Sequence, residues 1–317
     1  GREDFVSLEQ EIQRVKRNSG LPIILCLGDS LTSGWNSDKV SRNSDNPSSA
    51  LFSYSTYPDL IREDVRFHNT INAGVPGYTT LQGEMYLKKL LRRLAKDKIR
   101  PNYVIISFGN NDSTYNEIED KVRFEDKIES EDSMGERVGV VDYRRNLERM
   151  VETSVDYGSK PILLMPPVNY WCEPGVRSQK YREEFSETLK EIGDTPLAKE
   201  LFDACELYRK GEYKEACETD RTLPRIKRDY KRVLVEVARK TKTPLIDIQS
   251  RIPITNTEEY FCDYCHTIEK ANKIIVDEFK KIWNRDVCRR KKFNFFNYFF
   301  KRKKIRKNYG PPIEIYP

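Results

Sequence analysis

A chain of 317 residues, 38% hydrophobic and 33% charged, is long enough for one large α/β domain with insertions or for two small domains, and it has a polar surface. No apolar run approaches the ~20 residues of a membrane-spanning helix. Much of the net charge of +6 sits between Arg285 and Lys307, where Asp286 is the only acid, so whole-chain charge is no argument for nucleic-acid binding and no such partner is expected.

In chain order, Asp4 to Lys16 carries Phe5, Val6, Leu8, Ile12 and Val15 at helical spacing and predicts an amphipathic helix. Ile23 to Leu27 is a short continuous apolar run, as in a parallel strand buried on both faces. It breaks at Gly28, and Asp29, Ser30, Thr32, Ser33 and Gly34 follow. A strand-to-helix turn of this kind places a hydroxyl and unpaired backbone N–H groups at the carboxyl end of a sheet. Asn36 to Ser55 is polar and aperiodic and reads as a long loop. A helix starts near Pro58, and Val65 to Ala73 is the second strand, closed by a turn containing Gly74, Pro76 and Gly77.

Leu81 to Leu94 predicts a helix, Tyr103 to Phe108 a third strand, and Gly109-Asn110-Asn111-Asp112 the turn that ends it. Ser113 to Val140 is a charged insertion. A helix over Tyr143 to Val155 and strands at Pro161–Met165 and Leu245–Ile248 complete the alternation. Between those two strands Leu197 to Cys217 resembles one tetratricopeptide-type helical hairpin, which would have to pack on the main domain. Alternating apolar strands and amphipathic helices predict a right-handed, doubly wound parallel sheet with ligands at the carboxyl ends of the strands. The turns at Gly28–Ser30, Gly74–Gly77 and Gly109–Asp112 should then converge.

Asp263 and His266 lie three apart just before a helix carrying Ile268, Ala271, Ile274 and Ile275. A carboxylate at that spacing can hold the imidazole Nδ1, which leaves Nε2 free to take a proton. Ser30 needs such a base to act as a nucleophile. Ser30 N–H, Gly77 N–H and the Asn111 amide can supply the donors that an acyl-transfer oxyanion requires. His68, the other histidine, falls in a strand pattern and reads as structural. Cys262-Asp263-Tyr264-Cys265-His266 also spells C-x-x-C-H, a c-type haem attachment pattern, and a Cys-x-x-Cys redox pair is a minor alternative. Zinc is disfavoured for want of a second Cys/His pair at ligand spacing. The seven cysteines form no dense framework, although Cys205 and Cys217 could pair across the hairpin.

Gly28-Asp29-Ser30-Leu31, a glycine in the second turn, Gly-Asn-Asn-Asp in the third and Asp-x-x-His near the end resemble the GDSL, or SGNH, hydrolase family. The resemblance covers about Pro22 to Trp283 without the insertions. It implies Ser30, Gly77, Asn111 and His266 as the marker residues, with Asp263 as the acid and no metal or organic cofactor. Gly77 is preferred to Gly74 because it closes an N-x-G-x-x-G-like run, and Asn111 to Asn110 because it precedes Asp112 directly. The fold implied is a three-layer α/β/α, flavodoxin-like, five-stranded parallel sheet. Residues 1–284 would form the hydrolase domain, with a helical insertion at about 178–240 and a basic, aromatic segment at 285–317.

The expected activity is hydrolysis of carboxylic esters through an acyl-enzyme, by a carbohydrate O-acetylesterase or short-chain esterase. The alternatives are an O-acyltransferase acting on a glycan, or a polymer- or membrane-binding protein with a vestigial site. The expected partner is an ester substrate, such as an acylated glycan, with an anionic surface as a candidate contact for the C-terminal segment. No signal peptide is visible at the N-terminus, and localisation is left open: cytoplasmic, or extracytoplasmic if an anchor or signal was trimmed.

Overall fold

The computed structural model describes residues 8–18, 20–34, 56–114, 135–176, 193 and 195–306; the side chains of residues 8 and 289–306 lie outside that description. So do the polar loop at 36–55 and most of the charged insertion at 113–140.

The elements are α1 (Leu8–Arg17), β1 (Ile23–Gly28), α2 (Ser30–Ser33), α3 (Tyr57–Glu63), β2 (Asn69–Gly74), α4 (Thr80–Lys96), β3 (Tyr103–Ser107) and α5 (Val140–Asp156). They continue with β4 (Lys160–Leu164), α6 (Pro196–Arg209), α7 (Tyr213–Thr219), α8 (Arg228–Thr241), β5 (Leu245–Ile246) and α9 (Glu269–Arg306). The five strands form one sheet in the order β2-β1-β3-β4-β5, with every pair parallel. This is the flavodoxin-like winding, whose first strand lies at the switch point where ligands bind. The chain divides into two compact units, Gly1–Val276 and Asp277–Pro317. No described helix is long and apolar enough to cross a membrane.

The continuous apolar runs follow from burial on both sides of the sheet. Leu25, Leu27, Val104, Ile106 and Leu163 join the same core as Leu87, Leu147 and Val233 of α4, α5 and α8. Their alternates Ile24, Cys26, Ile105, Ile162 and Leu164 point the other way and are equally buried. α5 packs against both α4 and α8, which makes α8 part of the helix layer although it falls inside the 178–240 stretch read as an insertion. α6 and α7 form the expected hairpin. Cys205 and Cys217 are free thiols, as are the other five cysteines.

Two readings change. Val65–Phe67 is a turn of 3-10 helix, because the Asp64 carboxylate accepts from Arg66 N–H and caps it, so the second strand begins only at Asn69. His68 ends that turn, exposed and outside the strand. The fifth strand pairs at Leu245 and Ile246 only.

The register sets where the chain turns. Gly28 is paired with Gly74 on one side and Ser107 on the other. A Cβ at Gly28 would lie 2.7 Å from the Ser107 carbonyl and would collide with Thr32 of α2. Gly28→Ala is therefore expected to lower stability by about 1–3 kcal/mol, read as the midpoint of chemical denaturation; an unchanged midpoint would show that α2 is free to move.

Candidate active site

β1 delivers Ser30. The Asp29 carboxylate Oδ1 accepts from Leu31 N–H at 2.9 Å and caps the four-residue α2, while Gly34 closes it in a left-handed conformation. Thr32 hydrogen-bonds Tyr57 at 3.0 Å and locks α2 to α3. Along this turn Asp29, Leu31, Thr32 and Ser33 are buried and Ser30 stays partly exposed. The turn thus presents the hydroxyl and hides what supports it.

The loop before α9 delivers His266. Asp263 Oδ1 accepts from the N–H groups of Cys265 and His266, at 2.9 and 2.7 Å, and so folds the loop around the carboxylate. Cys262 N–H donates to the His266 carbonyl, and Phe261 bridges to Thr267. The other carboxylate oxygen, Oδ2, lies 2.5 Å from His266 Nδ1. His266 Nε2 lies 2.8 Å from Ser30 Oγ, across 236 residues of sequence. With the proton on Nδ1 held by the carboxylate, Nε2 is the acceptor for the Ser30 hydroxyl.

Burial alone would raise the Asp263 pKa, but the charge of His266 and three hydrogen bonds hold it below its ordinary value. Burial alone would lower that of His266, and the charge and hydrogen bond of Asp263 outweigh it and hold it above the ordinary 6.5. Both ring nitrogens are engaged, which leaves none for iron in the C-x-x-C-H reading. Asp263, Cys265 and His266 are the described residues whose ligand atoms cluster closely enough for a metal, yet a metal on Nδ1 would displace the Asp263 bond.

The remaining turns come to the same place. Val75 N–H donates to the Gly28 carbonyl at 2.9 Å, joining the second turn to the first. Gly74 allows close approach, since a Cβ there would meet the backbone of Thr32 and Ser33. Gly77 has a different job: its φ is +79°, and the space where a Cβ would project is open. Among the described residues neither Gly77 N–H nor Ser30 N–H has a hydrogen-bond partner. Asn111 Nδ2 donates to the Tyr78 carbonyl at 3.0 Å and approaches Asp29 Oδ2 at 3.5 Å. Asp112 accepts from Thr80 N–H and Oγ, at 2.8 and 2.5 Å, and so clamps the third turn to the start of α4. Ser30, His266 and Asp263 are thus in direct contact, and Asn111 and Gly77 flank Tyr78 beside them.

One contact escapes sequence reasoning. Asn169, after β4, donates through Nδ2 to the Asp263 carbonyl at 2.7 Å. It follows Pro166-Pro167-Val168 and carries no local signal of a site.

Residues 26–214 match the model of the GDSL-like Lipase/Acylhydrolase family, a span that contains Ser30, Gly77 and Asn111 and ends before Asp263. No curated protein sequence matches at a significant level. Among solved structures, a lipase/acylhydrolase from Enterococcus faecalis is 21% identical, with 84% of this chain and 97% of that one covered and a TM-score of 0.46. A GDSL-like lipase from Bacteroides thetaiotaomicron is 13% identical, with 87% and 98% covered and a TM-score of 0.47. A mutant acetyl-xylooligosaccharide esterase from Geobacillus is 17% identical, with 82% and 93% covered and a TM-score of 0.39.

The site makes stability depend on pH. Burial raises the Asp29 carboxyl to about 7 and the Asp112 carboxyl to about 6, from an ordinary 3.8. His266 is also raised. Through that range the native state binds more protons than the unfolded chain, so these groups lose stability as pH rises. Asp263 has the opposite sign: its contribution is full above 3.8 and is lost only as pH falls below that value. The midpoint of thermal unfolding should therefore contain a contribution that falls between about pH 4 and about pH 7. Asp29→Asn, which keeps the capping oxygen, should shrink the fall; an equal fall in the variant would exclude Asp29 as a source.

Proposed function

We propose that this chain, which belongs to the GDSL-like lipase/acylhydrolase family, is a serine hydrolase that cleaves carboxylic esters through an acyl-enzyme. The observation that carries the reading is the unbroken hydrogen-bonded line from Asp263 through His266 to the partly exposed Ser30 hydroxyl.

Ser30 Oγ attacks the ester carbonyl while His266 Nε2 takes its proton. The imidazolium so formed is stabilised by Asp263, which stays ionised. The carbonyl oxygen becomes an oxyanion and is met by donors fixed before it forms, Ser30 N–H, Gly77 N–H and Asn111 Nδ2. His266 then returns the proton to the departing alkoxide. Water, deprotonated by the same nitrogen, attacks the acyl-enzyme and releases the acid. The N–H groups of Ser30 and Gly77, unpaired among the described residues, support this use. Asn111 Nδ2 spends one hydrogen on the Tyr78 carbonyl, and its second, whose contact with Asp29 Oδ2 is a long 3.5 Å, is the one offered to the oxyanion.

The substrate class proposed is a short acyl ester on a polar alcohol, a carbohydrate O-acetyl ester foremost. Its support is compositional: residues 36–55 are rich in Ser and Asn and residues 113–140 are charged, a composition that suits a polar substrate better than a long acyl chain.

Initial rates on p-nitrophenyl acetate and butyrate test the reading. Ser30→Ala and His266→Ala should each lower kcat/KM by at least ~10³-fold. Asn111→Ala should lower kcat by roughly 10²–10³-fold. In the wild type kcat/KM should rise with pH through an apparent pKa above the ordinary 6.5 of histidine, because the base must be neutral. Equal rates in wild type and Ser30→Ala would overturn the proposal.

A further inference from the structure

Behind the site stand two buried side chains with no part in the proposed chemistry. Asn169 is 2% exposed and Arg225 is fully buried. Arg225 comes from the linker between α7 and α8. Its Nη2 bonds Asp220 Oδ2 at 2.6 Å, in an ion pair with both side chains out of solvent. Asp220 is pinned in turn by the N–H groups of Gly175 and Thr222 and by the Thr222 hydroxyl.

From that anchor the linker reaches both halves of the site. On one side Arg225 Nη1 lies 3.5 Å from the Asn169 carbonyl. Asn169 Nδ2 holds the Asp263 carbonyl, and its Oδ1 accepts from Thr257 Oγ at 2.7 Å and Trp171 N–H at 3.1 Å. On the other side the Arg225 carbonyl accepts from Ser113 Oγ at 2.8 Å, and Ile226 N–H donates to Asn110 Oδ1 at 3.0 Å. The Ile226 side chain covers Gly109, where a Cβ would lie 2.6 Å from its Cδ1. Asn111 sits between these two bonds.

We propose that Arg225 is a positioning residue: through its side chain and Asn169 it sets the Asp263–His266 loop, and through its carbonyl it sets the turn that carries Asn111. The inference rests on the reading of Ser30, His266 and Asp263 as a catalytic set. Its logic is geometric. The acid–base loop and the Asn111 turn belong to different parts of the chain, and neither is held to the other by a strand ladder. A misplacement of about 1 Å costs roughly 10²-fold in rate. A guanidinium can meet Asp220 and the Asn169 carbonyl with different arms of one rigid fork; an ammonium on a flexible stem cannot fix both.

Two variants test this, Arg225→Lys and the paired substitution Asp220→Asn with Arg225→Met, which removes both buried charges and leaves neither orphaned. Each is measured for kcat and KM on p-nitrophenyl acetate and for the far-downfield proton NMR resonance of His266 Nδ1–H. The expected result is a fall in kcat of roughly 10–100-fold with KM changed by no more than about twofold, together with a shifted or broadened Nδ1–H resonance. A folded variant with kcat within about threefold of wild type and an unchanged resonance would overturn the proposal, even if its melting temperature fell. If Arg225→Lys does not fold, the paired variant decides on the same criteria. Should the wild type neither turn over the ester nor react at Ser30 with a fluorophosphonate, the hydrolase reading itself fails, while the resonance still reports whether Arg225 sets the Asp263–His266 geometry.

Discussion

Gly28 pairs with Gly74 on one neighbouring strand and with Ser107 on the other, so β1, β2 and β3 end on one rung of the sheet. From that rung three turns leave in the same direction, carrying Ser30, Gly77 and Asn111. In a parallel sheet the backbone groups just past the last rung have no ladder partner, and something must satisfy them. Here Gly28 O takes Val75 N–H, Asp29 takes Leu31 N–H, and Asp112 takes Thr80 N–H. Among the described residues the N–H groups of Ser30 and Gly77 have no hydrogen-bond partner. The missing Cβ atoms at Gly28 and Gly74 let α2 fold back onto the rung.

Three buried aspartates surround this rung; burial raises all three carboxyls, and the charge of His266 and the donors each one receives decide how far that is offset. Asp263 takes two backbone N–H groups and the His266 ring, and its pKa falls despite complete burial. Asp29 takes one firm backbone bond and rises to about 7. Asp112 takes two bonds on one oxygen, while its other oxygen has no partner among the described residues, and it rises to about 6. The carboxyl held below its ordinary value is thus the one against the imidazole, where it accepts from His266 Nδ1. Environment, not residue type, assigns the roles.

Much of this was legible in the sequence because it rests on local signals. Strands buried on both faces read as unbroken apolar runs, and turns that must accept a left-handed residue or a close helix read as glycines. Val65–Phe67 misleads because a β-branched residue and a phenylalanine look like strand, while the Asp64 cap that winds them into a 3-10 turn is a single side chain. The family's motifs, in a chain that matches the family over residues 26–214, fall near the strand ends. Asn169 and Arg225 had no such signal. Asn169 meets Asp263 across 94 residues, and Arg225 meets Ser113 across 112. In a chain with 56 basic residues, one arginine in a charged linker reads as surface.

The burial of Arg225 is hard to explain as a device for stability. An ion pair removed from water gains about as much as it loses, and an apolar pair of the same volume often does better. This one also leaves Arg225 Nε without a partner among the described residues. What the pair supplies is position. A guanidinium held by Asp220 has one orientation, and that orientation meets Asn169, the residue that grips the Asp263 carbonyl. An apolar substitute would fill the space and leave the acid–base loop to find its own place. The linker after the helical hairpin therefore does more than connect α7 to the sheet layer. It joins the loop at residues 263–266 to the turn at residues 110–113.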